Sequence, residues 1–154
     1  MKVVFLSNFY PRCKRDYYLS RSRVGLASAA DAHQYAIAQG LNLCCDSFEI
    51  INLPSVSHYP LRYKDISQQT EVIEENTITI HNIGSCNLLF YQFLSRYKNS
   101  KKALRDIVDK GKDITYIVVY ATNLAFLRAA TEMRREYGNI RICLVLPDLP
   151  SEMA

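Results

Sequence analysis

Short apolar runs alternate with longer segments of helical periodicity along most of the chain. The first run, Val3-Val4-Phe5-Leu6 within Lys2 to Ser7, is continuous, the pattern of a strand covered on both faces. A long polar loop is expected from Asn8 to Arg23. An alanine-rich helix follows over about Val24 to Gln39, with Leu26, Ala30, His33 and Ile37 at helical spacing and Gly40 placed to end it. Its small residues, present nearly all round, predict close packing against a sheet and neighbouring helices. Cys45 to Leu53 reads as a second strand and Thr77 to Ile83 as a third, separated by an irregular stretch from Ser55 to Tyr63.

The second half repeats the alternation. Leu88 to Lys110 carries one or two helices whose apolar face is Leu104, Ile107 and Val108. Ile114 to Ala121 reads as a central strand. Leu124 to Tyr137 is the clearest helix, with Phe126, Ala130, Met133 and Tyr137 on one stripe and Arg128 and Glu132 paired on the other side. Ile140 to Leu146 is the fifth strand. Strands alternating with helices predict an α/β, Rossmann-like three-layer sandwich: a mostly parallel sheet of order 3-2-1-4-5 with helices on both faces.

Composition narrows the class. The 154 residues make one domain, 1–154, and 49% apolar with 22% charged residues is an ordinary globular balance rather than a disordered one. No apolar run approaches the ~20 residues that span a bilayer. The N-terminus turns polar too soon for a secretory signal peptide, so a cytoplasmic protein is expected. The five cysteines (Cys13, Cys44, Cys45, Cys86 and Cys143) fit no zinc template and are expected to be reduced structural thiols, with Cys143 packed inside its strand.

The net charge of +4 is mild, but Arg12, Lys14, Arg15, Arg21 and Arg23 fall in one stretch with Tyr10, Tyr17 and Tyr18. A solvated loop is the first reading of that stretch. Contact with an anionic membrane surface or a phosphorylated acceptor is the second, and nucleic acid the third, disfavoured by the modest overall charge.

Several α/β signatures are missing. Ser7-Asn8-Phe9-Tyr10-Pro11 follows the first strand where a dinucleotide-binding domain has Gly-x-Gly-x-x-Gly, and there is no P-loop and no His-Glu-x-x-His. The loops at the strand carboxyl ends supply Asn8 and Tyr10, Pro54 and Ser55, Asn82 and Gly84, Thr122 and Asn123, then Asp148. Uncharged hydrogen-bonding groups with one acid suit a hydroxyl-rich ligand. Asn8 and Asn123 are equally readable as helix caps or turn residues. His33 reads as a packed or surface histidine, His58 as a loop residue within reach of a ligand, and neither these nor His81 has the spacing of a metal site.

Four segments occur in order: the first strand with Ser7-Asn8-Phe9-Tyr10-Pro11, the stretch Gly25-Leu26-Ala27-Ser28-Ala29-Ala30-Asp31-Ala32, the strand end Ile51-Asn52-Leu53-Pro54-Ser55, and Cys143-Leu144-Val145-Leu146-Pro147-Asp148-Leu149-Pro150. Together they resemble the N-terminal domain of bacterial GT-B glycosyltransferases of family 4 (group 1), over essentially the whole chain. The resemblance implies the acceptor-side domain of a retaining enzyme that moves a sugar from a nucleotide-diphosphate sugar to a saccharide or lipid-linked saccharide, in cell-surface polysaccharide synthesis. It implies acceptor contacts at Asn8, Tyr10, Arg21, Asn82, Thr122, Asn123 and Asp148, no metal, and no cofactor beyond the sugar donor. The partners it implies are the acceptor and a C-terminal donor domain.

Two departures limit the resemblance. The donor domain of the family carries two glutamates separated by seven residues, and no pair of glutamates here has that spacing. Many members carry a histidine after the fourth strand, where this chain has Tyr120-Ala121-Thr122-Asn123, so no catalytic residue is assigned. The chain is accordingly expected to be an inactive half of an enzyme, stopping just beyond Pro147-Asp148-Leu149-Pro150. The alternative is a self-contained, non-catalytic α/β binding module. A gene continuing past Ala154 into a second α/β domain with the paired glutamates would exclude it.

Overall fold

A computed structural model describes residues 1–26, 28–110 and 114–147. In chain order the elements are β1 (Lys2–Ser7), a short 3-10 turn (Arg12–Lys14), α1 (Arg15–Arg21), α2 (Ser28–Cys44), β2 (Ser47–Asn52), β3 (Glu71–Glu75), β4 (Ile78–Asn82), α3 (Gln92–Asp109), β5 (Tyr116–Tyr120), α4 (Leu124–Tyr137) and β6 (Arg141–Val145). The sheet order is β3-β4-β2-β1-β5-β6. The five parallel strands β4, β2, β1, β5 and β6 therefore take the order expected from the sequence.

The sixth strand was not expected. β3 pairs antiparallel with β4 through a two-residue turn, Asn76-Thr77, in which both residues have positive φ. That geometry matches the right-handed twist of a hairpin and suits Asn at its first position. Thr77 adopts φ 67 at a cost of about 1–2 kcal/mol for a β-branched residue. The stretch reads as polar because Glu71, Glu74 and Glu75 surround only two apolar residues, of which Ile73 alone is buried.

Helices cover both faces, as expected. On one face α3 and α4 pack over Val4, Leu6, Ile51, Ile117 and Val119, adding Leu104, Ile107, Phe126, Ala130 and Met133 to the core. On the other, Ala38 of α2 is buried against Val3, Phe5, Ile50, Ile80 and Val118. A polar lock ties α3 to α4: Glu132 accepts hydrogen bonds from Tyr97 Oη and Lys101 Nζ, each at 2.5 Å, and from Arg128 Nε at 3.4 Å. The Lys101 ammonium foremost, with Tyr97 and Arg128, holds the Glu132 carboxyl down at about 2.

Four expectations are corrected. The Asn8 to Arg23 stretch is not a loop throughout, because α1 occupies part of it. Gly40 lies inside α2, which continues to Cys44. Leu41 and Cys45 pack against the core there, outweighing the ~1 kcal/mol that glycine costs a helix. Most described alanines of α2 face solvent (Ala29, Ala32 and Ala36), so the small residues do not mark close packing all round the helix. Cys143 is exposed because β6 is an edge strand, and none of the five free thiols is fully buried.

Candidate functional site

The sheet order reverses direction at β1. From β1 the chain crosses to β2 on one side, and it later returns to place β5 on the other. Crevices beyond the strand carboxyl ends at such a point are where open α/β sheets bind ligands. A cavity of about 720 Å³ lies there. Asn8 reaches it from the end of β1, Ser55 from beyond β2, Tyr120 and Ala121 from the end of β5, and Pro147 from beyond β6. The first turns of α2 close it with Ala30, Asp31, His33 and Gln34. Ala121 has φ 58, a left-handed conformation uncommon outside glycine and often found at functional sites.

Asp31 is the chemically distinctive group. It is 4% exposed, and its Oδ2 accepts no hydrogen bond among the described residues. Arg15 Nη1 stands 3.8 Å from that oxygen. Burial pushes the Asp31 carboxyl up to about 6, against the opposing pull of the Tyr10 backbone N–H and Arg15. A carboxylate that lines a cavity and has one oxygen free of hydrogen bonds among the described residues has capacity left to accept one from a ligand hydroxyl. Beside it, His33 Nδ1 and Tyr120 Oη lie 3.1 Å apart with their rings edge to face. Gln34 accepts the Asn8 backbone N–H at 2.9 Å and donates to Ala30 O at 3.3 Å, so it braces the wall.

The residues expected from the sequence to contact the acceptor divide between this cavity and the surrounding frame. Asn8 and Tyr10 line the cavity. Tyr10 is buried, donates its hydroxyl hydrogen to Ser55 O, and has its phenol pushed up to about 12 by burial. Asn82 is also buried, but its amide belongs to a polar rung across the strand ends. Ser7 Oγ donates to Asn52 Oδ1 at 3.0 Å, Asn52 Nδ2 donates to Asn82 Oδ1 at 2.9 Å and to Phe9 O at 3.0 Å, and Asn82 Nδ2 donates to Tyr18 Oη at 2.9 Å and Glu71 Oε1 at 3.2 Å.

Asn123 caps α4, accepting from the backbone N–H groups of Ala125 and Phe126 at 3.1 and 3.4 Å. Thr122 is exposed beside it. Arg21 stands at the end of α1, 3.7 Å from Asp65 and over the Tyr17 ring, outside the cavity lining. Asp148 lies outside the described residues. Of the neighbouring cations, Lys14 pairs with Glu71 and Arg15 with Asp31, so the basic stretch is partly neutralised within the fold.

No family model matches the sequence, and no curated protein does. Two solved structures are similar to the chain. The catalytic domain of starch synthase IV from Arabidopsis thaliana, bound to ADP and acarbose, superposes with a TM-score of 0.52 at 13% identity, over 94% of this chain and 33% of that one. An α,α-trehalose-phosphate synthase (UDP-forming) from Burkholderia xenovorans, in complex with glucose-6-phosphate, gives a TM-score of 0.49 at 12% identity with the same coverage. The chain thus spans about a third of the length of these structures. Its Rossmann-like α/β architecture is the fold it shares with that starch synthase domain.

Proposed function

We propose that the chain is the acceptor-side domain of a retaining glycosyltransferase. The observation that carries this reading is the buried, hydrogen-bond-deficient Asp31 facing a cavity at the switch point of a fold shared with a starch synthase catalytic domain. That neighbour holds ADP and acarbose, a nucleoside diphosphate and a saccharide, in keeping with a sugar donor and a hydroxylated acceptor here.

In this reading Asp31 accepts a hydrogen bond from an acceptor hydroxyl and orients it, which lowers the entropic part of the barrier. Asn8 and the His33–Tyr120 pair bound the same space. A second domain holds the nucleotide-diphosphate sugar and stabilises the charge that develops on its leaving phosphate. The acceptor is a saccharide or lipid-linked saccharide of bacterial cell-surface polysaccharide synthesis, and the enzyme is a cytoplasmic member of family 4. No metal, further cofactor or nucleic acid takes part. The isolated chain turns over no donor.

Saturation-transfer NMR with neutral oligosaccharides, acarbose among them, tests the acceptor role. Binding is expected for the native chain and is expected to weaken about tenfold in Asp31→Asn. Absence of any saccharide contact, or contact unchanged in that variant, overturns it. Sugar transfer by this chain alone overturns the division of labour between two domains.

A further inference from the structure

Six large apolar side chains stand in the open around the start of α3. Leu89, Phe90 and Tyr91 are 60%, 90% and 62% exposed, and Phe93 and Leu94 follow on the first helical turn. Leu61, 74% exposed, sits in a neighbouring turn that Tyr59 bridges to Leu88. A contiguous run of this kind marks an interaction surface more often than isolated exposed leucines do.

The run is held in place. Tyr91 and Gln92 donate their backbone N–H groups to Leu88 O at 3.0 and 2.8 Å. Gln92 Nε2 and Arg96 Nη2 both donate to Val56 O, at 3.1 and 2.7 Å, and pin the helix start to the loop after β2. A fixed turn therefore presents these side chains to solvent.

Charge selects the occupant. No acidic residue occurs between Glu75 and Asp106, while Arg96, Lys98, Lys101, Lys102 and Arg105 all do. Lys101 and Arg105 pair with carboxylates of α4, but Lys98 and Lys102 are exposed without a carboxylate partner among the described residues. Tyr91, Leu94, Lys98 and Lys102 recur at helical spacing and form one stripe, apolar at the helix start and cationic beyond it. Asp106 continues the stripe one turn beyond Lys102, away from the apolar start, and Asp109 ends the helix. Arg62 adds a third exposed cation beside Leu61.

We propose that the start of α3 is a peripheral docking surface for an anionic lipid bilayer. Phe90 and its apolar neighbours enter the interface, and Lys98, Lys102 and Arg62 meet the headgroups. Aromatic rings at the headgroup level with lysines at their margin are the composition such interfaces favour. A second copy of the chain fits less well, since a symmetric contact would bring Lys98 and Lys102 of both copies together with no acid in the patch. The inference is independent of sugar transfer, and its test requires none.

The chain contains no tryptophan, so Phe90→Trp places a single reporter in the patch. Vesicles of equal parts phosphatidylglycerol and phosphatidylcholine are expected to shift its emission to the blue, and pure phosphatidylcholine much less. Phe90→Ser is expected to lower vesicle partitioning of the otherwise native chain about tenfold. Lys98→Glu with Lys102→Glu is expected to do the same on the anionic vesicles only. At 90% exposure Phe90 bears little on folding, which circular dichroism of each variant checks. An unshifted emission at saturating anionic lipid overturns the proposal. So does a blue shift that appears without lipid and tracks dimer formation in sedimentation, which would assign the patch to contact between copies.

Discussion

Asn52 and Asn82 stand directly opposite one another on β2 and β4, and Asn52 Nδ2 donates to Asn82 Oδ1 at 2.9 Å. Each amide uses both of its hydrogens, so the rung is fully employed between Ser7 and Glu71. Through Phe9 O and Tyr18 Oη it fastens the segment after β1 to the strand ends, and that segment forms one wall of the cavity.

Asn82→Ala is accordingly expected to leave a buried Asn52 hydrogen without its acceptor and to detach Tyr18. A loss of about 2–4 kcal/mol is expected, measured as the shift of a urea unfolding midpoint at constant slope. Asn82→Asp is expected to do worse, since it sets a second carboxylate beside Glu71. A loss under about 0.5 kcal/mol in Asn82→Ala would refute the structural role of the rung.

Asp31 gives a prediction of opposite sign. Its folded pKa of about 6 exceeds the ordinary value of 3.8, so the folded state holds the proton more tightly than the unfolded chain. The contribution is fully present below about 4 and is lost as pH rises through about 6. Asp31→Asn is therefore expected to stabilise the chain near pH 7 by about 1–3 kcal/mol, and by much less near pH 4. Paired thermal melts at the two pH values check this. A stabilised variant that no longer contacts saccharide is the signature of a group kept for function.

Asn123→Ala separates capping from ligand contact at the β5–α4 turn. Loss of the cap is expected to lower stability by about 1 kcal/mol. Saccharide contact in the NMR experiment is expected to stay unchanged, because the amide already points into the helix end. Weakened binding without destabilisation would reassign Asn123 to the acceptor.

Gly84 follows β4 where another stretch of backbone passes very close. A Cβ there would lie 2.3 Å from Gln68 O and 2.9 Å from Thr70 N. Gly84→Ala is expected to destabilise by about 2–3 kcal/mol or more, because main chain rather than a flexible side chain must yield. Chemical denaturation measures it, and a near-neutral result would mean that the 68–70 segment gives way freely.

The parallel core was legible because Val3 to Leu6 and Ile117 to Val119 are continuous apolar runs and because α4 carries an unbroken stripe with Gly138-Asn139 after it. β3 was not, since Glu-Val-Ile-Glu-Glu becomes a strand only once β4 offers it an edge. Gly40 misled because tertiary contacts at Leu41 outweigh a local breaker. At the site, the loops at the strand ends were visible, but Asp31 was passed over inside an alanine-rich helix. Its signal was available: a lone acid in the first turn of α2, the helix that leads into β2, where the N–H groups of a helix start favour a carboxylate. What the sequence could not reveal is that Asn82 and Asn123 bond inward, because only the folded register supplies their partners.

The two margins of the sheet differ in a way that limits how chains can join. β3 presents Glu71, Glu74 and Glu75, and a second such margin would meet it with like charge. β6 carries one cation, Arg141, and leaves Cys143 and Leu144 exposed. Two copies meeting at β3 would set these carboxylates against one another, whereas two copies meeting at β6 about a twofold axis would cover Cys143 and Leu144.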